Sequence, residues 1–292
     1  MRNEFKRFHP LVSFSYYAGA LSLLIIMQHP IFLSLALMVV LAVNYVEDRL
    51  KGLSKWIIFI VTTGLFIVIL NPLFNERGQH VLFTVFDHRI TLESTLYGGI
   101  NALLIIGVMA LFVSYNEVMS PNKLLYLFSK FLPQFAILLM LTLRFIPLMR
   151  RRAEEISTIQ TSKGMSVVHG KWRDKAKTGM LYLQLLLVHS LEEAIQTADS
   201  MKARRYGQGT RSTYEYFILK KSDVMALVYL LFLCSIVVYG RISGYGYLTI
   251  YPILERMAIT STESIILTVY LLFISFPLFA QMGGYVRWRL SE

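Results

Sequence analysis

Cysteine is nearly absent. The single Cys234 sits inside an apolar run, which excludes a disulfide framework and a cysteine-based metal site. Charge is scarce as well: only 16% of the 292 residues are Asp, Glu, Lys or Arg, against about 25% in soluble domains. Paired carboxylates are missing from the apolar runs, with Glu93 and Asp223 standing only at their edges. A proton- or ion-coupled carrier needs ionisable groups at membrane depth, so an autonomous transporter is disfavoured. A nucleotide loop is missing too. Gly164–Lys171 (GMSVVHGK) has one residue too many between its glycines, Trp172 in place of Ser or Thr, and no strand ahead of it.

What the chain has instead is long apolar runs. Hydrophobic residues make up 55% of it, the mean hydropathy is +0.53, and several runs reach the ~17–25 residues of a membrane-spanning helix. The expectation is an all-α polytopic membrane protein of about six transmembrane helices, with a cytoplasmic or interfacial domain of amphipathic coupling helices. The spans are placed at 11–27, 31–46, 56–70, 92–113, 224–239 and 264–282. His29-Pro30 turns the first into the second, Asn71-Pro72 ends the third, and Pro277 breaks the sixth. Gly98, Gly99 and Gly107 mark places where another helix backbone can approach the fourth. Residues 73–91 and 240–263 read as loops. Ala18-Gly19-Ala20 resembles a signal-peptide cleavage site, but a cut there leaves only about seven apolar residues, so a retained span is preferred.

The net charge of +11 is concentrated. Residues 116–221 hold 17 Lys/Arg against 8 Asp/Glu, so +9 of it lies in one block. Between spans, such a block obeys the positive-inside rule and reads as cytoplasmic. Its acidic partners are lipid head groups or a protein surface; nucleic acid is not expected, because no aromatic-interleaved basic platform is present. Parity agrees. With the N-terminus inside, segments 1–10, 47–55, 116–221 and 285–292 carry +2, +1, +9 and +1, while 71–91 and 240–263 carry zero. Both termini are therefore expected in the cytoplasm. The chain divides into 1–115 (four spans), 116–221 (coupling helices) and 222–292 (two spans).

Within the block, 149–209 is the only long polar passage, and it holds two similar helix ends. Glu154-Glu155 and Glu192-Glu193 stand early and basic residues late, closing as Ser162-Lys163-Gly164 and as Ala203-Arg204-Arg205-Tyr206-Gly207. That order suits the helix dipole and a glycine stop. Leu181, Leu185, Val188, Ile195 and Ala198 recur as one apolar stripe, with Gln184, Glu192, Gln196 and Asp199 on much of the remainder. Leu148, Ala153, Ile156 and Ile159 make a weaker one. Residues 131–149 and 180–188 are apolar as well. If both spanned, seven basic residues from Arg150 to Lys175 would lie outside and the charge asymmetry would reverse. Arg144, midway between Pro133 and Pro147, is costly at membrane depth. Both stretches therefore read as helices at the cytoplasmic interface or against a partner's membrane helices.

The segment LRFIPLMRRRAEEISTIQTSKGM, the later LEEAIQTADSMKARRYG and the early FHPLVSF resemble the transmembrane T component of energy-coupling factor (ECF) transporters. The resemblance covers most of the chain and is least diagnostic after residue 222. It implies a non-catalytic scaffold in the prokaryotic cell (inner) membrane, joining a substrate-binding S component to two cytoplasmic ATP-binding-cassette subunits for uptake of a vitamin or other micronutrient. ATP and Mg would be bound by those partners; no cofactor or metal is expected here. In that family two motifs, usually Ala-Arg-Gly or close to it, end the coupling helices and dock an arginine into each ATPase. They fall at Ser162-Lys163-Gly164 and Ala203-Arg204-Arg205. Both depart from the pattern, with Lys163 in place of arginine and Arg205 in place of glycine. Lysine loses the planar fork that binds a carboxylate through two hydrogen bonds, so Arg204 is the expected principal anchor. The resemblance also implies an S-component surface on Phe131, Leu139, Arg144, Leu181, Leu185 and Val188.

Two rivals stand beside this reading. One is a membrane-embedded enzyme using His80, Asp87 and His88, the only histidine cluster. The other is the permease of a different ATP-binding-cassette importer, with polar groups lining its spans and a single coupling loop.

Overall fold

Two helices open with the same dipeptide. In α1 (Pro10–Ile26) and α2 (Pro30–Asp48), proline occupies the first helical position, where no amide is required and φ is already set. The preceding His9 and His29 cap the helices, their Nδ1 atoms accepting the amides of Leu11 at 3.2 Å and Ile31 at 3.3 Å. Nδ1 accepts only when it carries no proton, which fixes the same tautomer in both rings. The structure, a computed structural model, describes residues 4–75, 78–85, 88–129, 132–165, 171–206, 217–250 and 259–282. The chain continues through α3 (Lys51–Phe74), a hairpin of β1 (Val81–Val85) and β2 (His88–Thr91), α4 (Leu92–Val118) and α5 (Pro121–Ser129). Then follow α6 (Pro133–Ser162), α7 (Trp172–Ala203), α8 (Lys221–Ile242), α9 (Ser261–Ile274) and α10 (Phe276–Met282). These elements form two compact units, residues 1–124 with 217–292, and residues 125–216.

In the first unit α2, α3, α4 and α8 are long and apolar enough to cross a membrane, and α9 with α10 makes a fifth candidate bent by 55°. With 17 residues, α1 sits at the short limit of the spanning range. Helix α1 packs on α4, α8 and α9 through fully buried Tyr16, Leu23 and Leu24. The Tyr16 hydroxyl donates to the Ile274 carbonyl at 2.7 Å, satisfying an acceptor that the α9–α10 break leaves open.

The N-terminal turn Glu4–Arg7 is tied to the same end of this bundle as the close of α4 and the start of α8. Phe5 is buried against Tyr16, Tyr17 and Phe276. Lys6 pairs with Glu117 at 3.2 Å, and Lys123 donates to the carbonyls of Lys6 and Val118. Burial, with the Lys6 charge second, pushes the Lys123 ammonium below its ordinary pKa. Asp223 caps α8 through the Lys220 amide at 2.9 Å and also accepts the His9 amide. At the opposite end, Arg241 donates to the Ile26 carbonyl and lies over the Tyr247 ring.

Four sequence expectations change. Residues 73–91 are not simply a loop, because 81–85 and 88–91 pair as antiparallel strands. The third span does not stop at Asn71-Pro72: α3 runs to Phe74 with Pro72 inside it, since a proline so near the end removes only one helical bond. The expected connection 47–55 shrinks to Arg49 and Leu50, both at positive φ, with Asp48 accepting the Gly52 amide to start α3. Of the three glycines in α4, Gly98 meets α3, where an added Cβ would lie 3.0 Å from the Asn71 Cβ, and Gly107 meets α1, where it would lie 3.7 Å from the Leu24 Cδ2. Around Gly99 there is open space. Opposite signs follow for the two alanine variants in a thermal melt in detergent. Gly98→Ala should destabilise by about 1 kcal/mol through crowding of α3, whereas Gly99→Ala should be neutral or gain up to about 1 kcal/mol of helix propensity.

In the second unit α6 packs on α7. The apolar stretch 131–149 and the polar coupling stretch after it, read separately in the sequence, form one 30-residue helix with Pro147 inside. Ala136, Ile156 and Gln160 are its buried residues, the last two one turn apart, whereas Ile159, placed on the expected stripe, is exposed. Neither α6 nor α7 is among the helices apolar enough to span.

Candidate functional site

The two helices of the second unit close in the same turn. After α6 ends at Ser162, the Gly164 amide bonds the Thr161 carbonyl and the Met165 amide bonds the Gln160 carbonyl, both at 2.9 Å. Gly164 takes φ of +79°. After α7 ends at Ala203, the Arg205 amide bonds the Lys202 carbonyl at 3.0 Å and the Tyr206 amide bonds the Met201 carbonyl at 2.9 Å. Arg205 takes φ of +54°. Both are Schellman motifs, in which one left-handed residue lets two amides reach back to the last free carbonyls. The motif aligns the ends residue for residue. Lys163 and Arg204 share the position next to the helix, and Gly164 and Arg205 share the left-handed one. Ser162 and Ala203 are the last helical residues.

Residues 161–165 and 202–206 are all solvent-exposed. Among the described residues, no ion pair or side-chain hydrogen bond engages Lys163, Lys202, Arg204 or Arg205. Two of the four cations earlier in α6 behave differently, Arg150 pairing with Glu154 at 3.4 Å and Arg152 with Glu155 at 3.1 Å. Each pair spans one turn of the helix and neutralises its own charges; the helix ends stay positive.

Tyr182 of α7 sets the first end in place, its hydroxyl donating to the Met165 carbonyl at 3.0 Å and approaching the Ser157 carbonyl at 3.4 Å. Helix α7 then runs 22 residues further to Arg204, so the two cationic ends stand on the order of 30 Å apart at 1.5 Å per residue. Nothing in the apolar periodicity marks Tyr182. Tyr182→Phe should cost about 1 kcal/mol and expose the 157–165 segment to limited proteolysis, leaving cleavage near Arg204 at the wild-type rate.

The residues expected to form an apolar surface differ in exposure. Leu139 is half-buried and Arg144 exposed on α6, Leu181 and Leu185 are half-buried on α7, and Val188 is exposed; Phe131 lies outside the described residues. A second row at helical spacing, Met180, Leu183, Leu187 and Leu191, is exposed as well, and no residue of α7 is buried. Apolar residues on two sides of one helix point to contacts beyond α6.

Of the histidine cluster, the structure describes the His80 side chain only; Asp87 and the His88 side chain lie outside the described atoms. His80 Nδ1 donates to Glu93 at 2.7 Å, and Glu93 also accepts the amides of Gln79 and His80. This fully buried carboxylate in the first turn of α4 holds the chain leading into β1. Its contacts are those of a structural anchor. No group of three or more metal-ligating side chains occurs among the described residues.

Residues 5–215 match the family described as CbiQ, cobalt transport protein. The chain belongs to this family. The match takes in both helix ends of the second unit and stops short of α8. Among curated relatives, the energy-coupling factor transporter transmembrane protein EcfT of Lactobacillus helveticus is 27% identical over 192 residues, 61% of this chain and 68% of the relative. EcfT of Listeria innocua is 27% identical over 127 residues, 43% of this chain and 47% of the relative. EcfT of Staphylococcus aureus is 24% identical over 208 residues, 67% of this chain and 75% of the relative. The match therefore spans from just under half to three quarters of these proteins. A membrane subunit of an energy-coupling factor transporter is the description that the family and the multi-pass helices share.

Proposed function

We propose that this chain is the non-catalytic scaffold and coupling subunit of an ECF-type importer. It joins two cytoplasmic ATP-binding-cassette subunits to a small membrane S component that captures a vitamin or other micronutrient. The observation that carries the reading is a pair of long helices, each closing in an exposed cation on the same left-handed turn, in a chain of this family. Helices α6 and α7 act as levers. At 30 and 32 residues they are about 45 and 48 Å long. Lys163 and Arg204 dock into grooves on the two ATPases; closure of the ATPase pair on ATP moves those ends, and the exposed apolar rows pass the movement to the S component. ATP and Mg are held by the partners, and this chain carries no cofactor. In this orientation the N-terminus, the α4–α5 junction and the start of α8 face the cytoplasm, as the positive-inside rule requires of the basic segments.

Purification from native membranes in mild detergent tests the proposal. Two ATP-binding-cassette proteins and one small apolar membrane protein should accompany the chain. Recovery of the chain with no ATPase, under conditions that hold other membrane complexes together, ends this reading.

A further inference from the structure

Arg205 occupies a backbone conformation that an L-residue adopts reluctantly. At φ of +54° its Cβ crowds the following carbonyl oxygen, which is why glycine or asparagine usually fills this position. The equivalent residue of α6 is Gly164, where an added side chain would meet nothing within 4 Å. Space therefore does not distinguish the two positions. What distinguishes them is charge.

A helix C-terminus presents about half a negative elementary charge. The α6 end sets one cation, Lys163, against it. The α7 end sets three, Lys202, Arg204 and Arg205, all exposed and none paired among the described residues. One cation is enough to balance the dipole. The α7 end therefore keeps a surplus of about two positive charges, held on a rigid cap rather than a loose tail.

We propose that Arg205 is a second docking residue, and that Arg204 and Arg205 together grip a groove on one ATPase subunit lined by at least two carboxylates. The α6 end, with Lys163 alone, needs a single acid. This rests on the ATPase-docking reading above and adds to it that the two ATPase contacts differ in charge. Adjacent guanidinium groups on a fixed turn can each form a paired contact with a carboxylate, whereas glycine at 205 would relax the turn and supply no contact.

The test uses the full complex, purified through a tag on this chain, with ATPase recovery measured against salt. Arg205→Gly and Arg205→Asn both suit the left-handed turn and both remove the charge, so the helix end should hold at least as well; hydrogen exchange at the 201–206 amides reads this. ATPase recovery should nonetheless fall about ten-fold, the loss expected for one charge-assisted contact. Its salt dependence should flatten relative to wild type, and Arg205→Lys should recover part of the loss. Recovery equal to or better than wild type in the Gly and Asn variants overturns the proposal and leaves Arg205 as a tolerated strain. If the wild-type chain captures no ATPase, the docking reading itself has failed, which is a separate outcome.

Discussion

Changing Arg204 to alanine should strip the ATPase subunits from the complex, lowering their recovery by roughly ten- to a hundred-fold. Lys163→Ala should lower it only a few-fold. The range follows from the ~1.5–3 kcal/mol of a hydrogen bond to a charged group, converted at about 1.4 kcal/mol per decade of affinity. Both cations sit at the same place on the same cap, so backbone geometry does not separate them. The head group does. A guanidinium offers a planar fork that meets a carboxylate through two parallel bonds, and it is more weakly hydrated than an ammonium. Arg204→Lys should therefore fall between wild type and alanine, and Lys163→Arg should strengthen the weaker contact. Position 204 has φ of −82° and position 163 has φ of −85°, which any residue adopts, so none of these variants disturbs the turn. Circular dichroism and elution volume should match wild type. Should Lys163→Ala abolish ATPase recovery while Arg204→Ala leaves it intact, the assignment of the principal anchor is reversed and this account of the interface is wrong.

Much of this was legible before any coordinates. Five of the six expected spans, α2, α3, α4, α8 and the bent α9–α10, were legible by length and hydropathy, whereas the first, α1, is too short at 17 residues for length to mark it. The helix end at Lys163-Gly164 was legible because a basic residue followed by glycine is a local stop signal, complete within a few residues. The second end was only half legible. Arg205 carries no propensity for a left-handed turn, and only the amides of Arg205 and Tyr206 reaching back to Lys202 and Met201 reveal that it stands where Gly164 stands. The hairpin was hidden by its brevity, because a window long enough to find a span averages away a period of two over four or five residues. The contacts of Asp223 with His9 and of Tyr182 with Met165 join positions far apart in sequence, and no periodicity reports such pairs. The exposed row Met180, Leu183, Leu187 and Leu191 was masked for another reason. It shares α7 with the expected stripe, and two apolar rows on one helix read as a single hydrophobic run.

Glu93→Ala should free the hairpin from α4 and destabilise the first unit by about 2 kcal/mol. Glu93 is fully buried and accepts the amides of Gln79 and His80 together with His80 Nδ1. Losing hydrogen bonds to a charged acceptor costs ~1.5–3 kcal/mol, less where the donors Gln79 and His80 are exposed and can turn to water, and a carboxylate in the first turn adds ~0.5 kcal/mol from the helix dipole. The His80 bond itself adds little, since its side chain is 73% exposed and can turn to water. Glu93→Gln keeps the shape and one acceptor, so about half the loss should remain. Gly78→Ala should approach the alanine variant by another route. Its backbone sits at φ of +143°, and a Cβ there would lie 2.5 Å from Glu93 Oε2 and 2.7 Å from Thr91 Oγ1, displacing the carboxylate from its donors. Thermal melts and proteolysis within 75–91 should rank Glu93→Ala as the most damaging, Gly78→Ala close behind it and Glu93→Gln third, with His80→Ala the mildest of the set. ATPase recovery should stay at the wild-type level in all four, because nothing at this anchor belongs to the cationic helix ends. A Glu93→Ala protein that melts and resists protease like wild type would show that the hairpin is held by packing and not by this carboxylate.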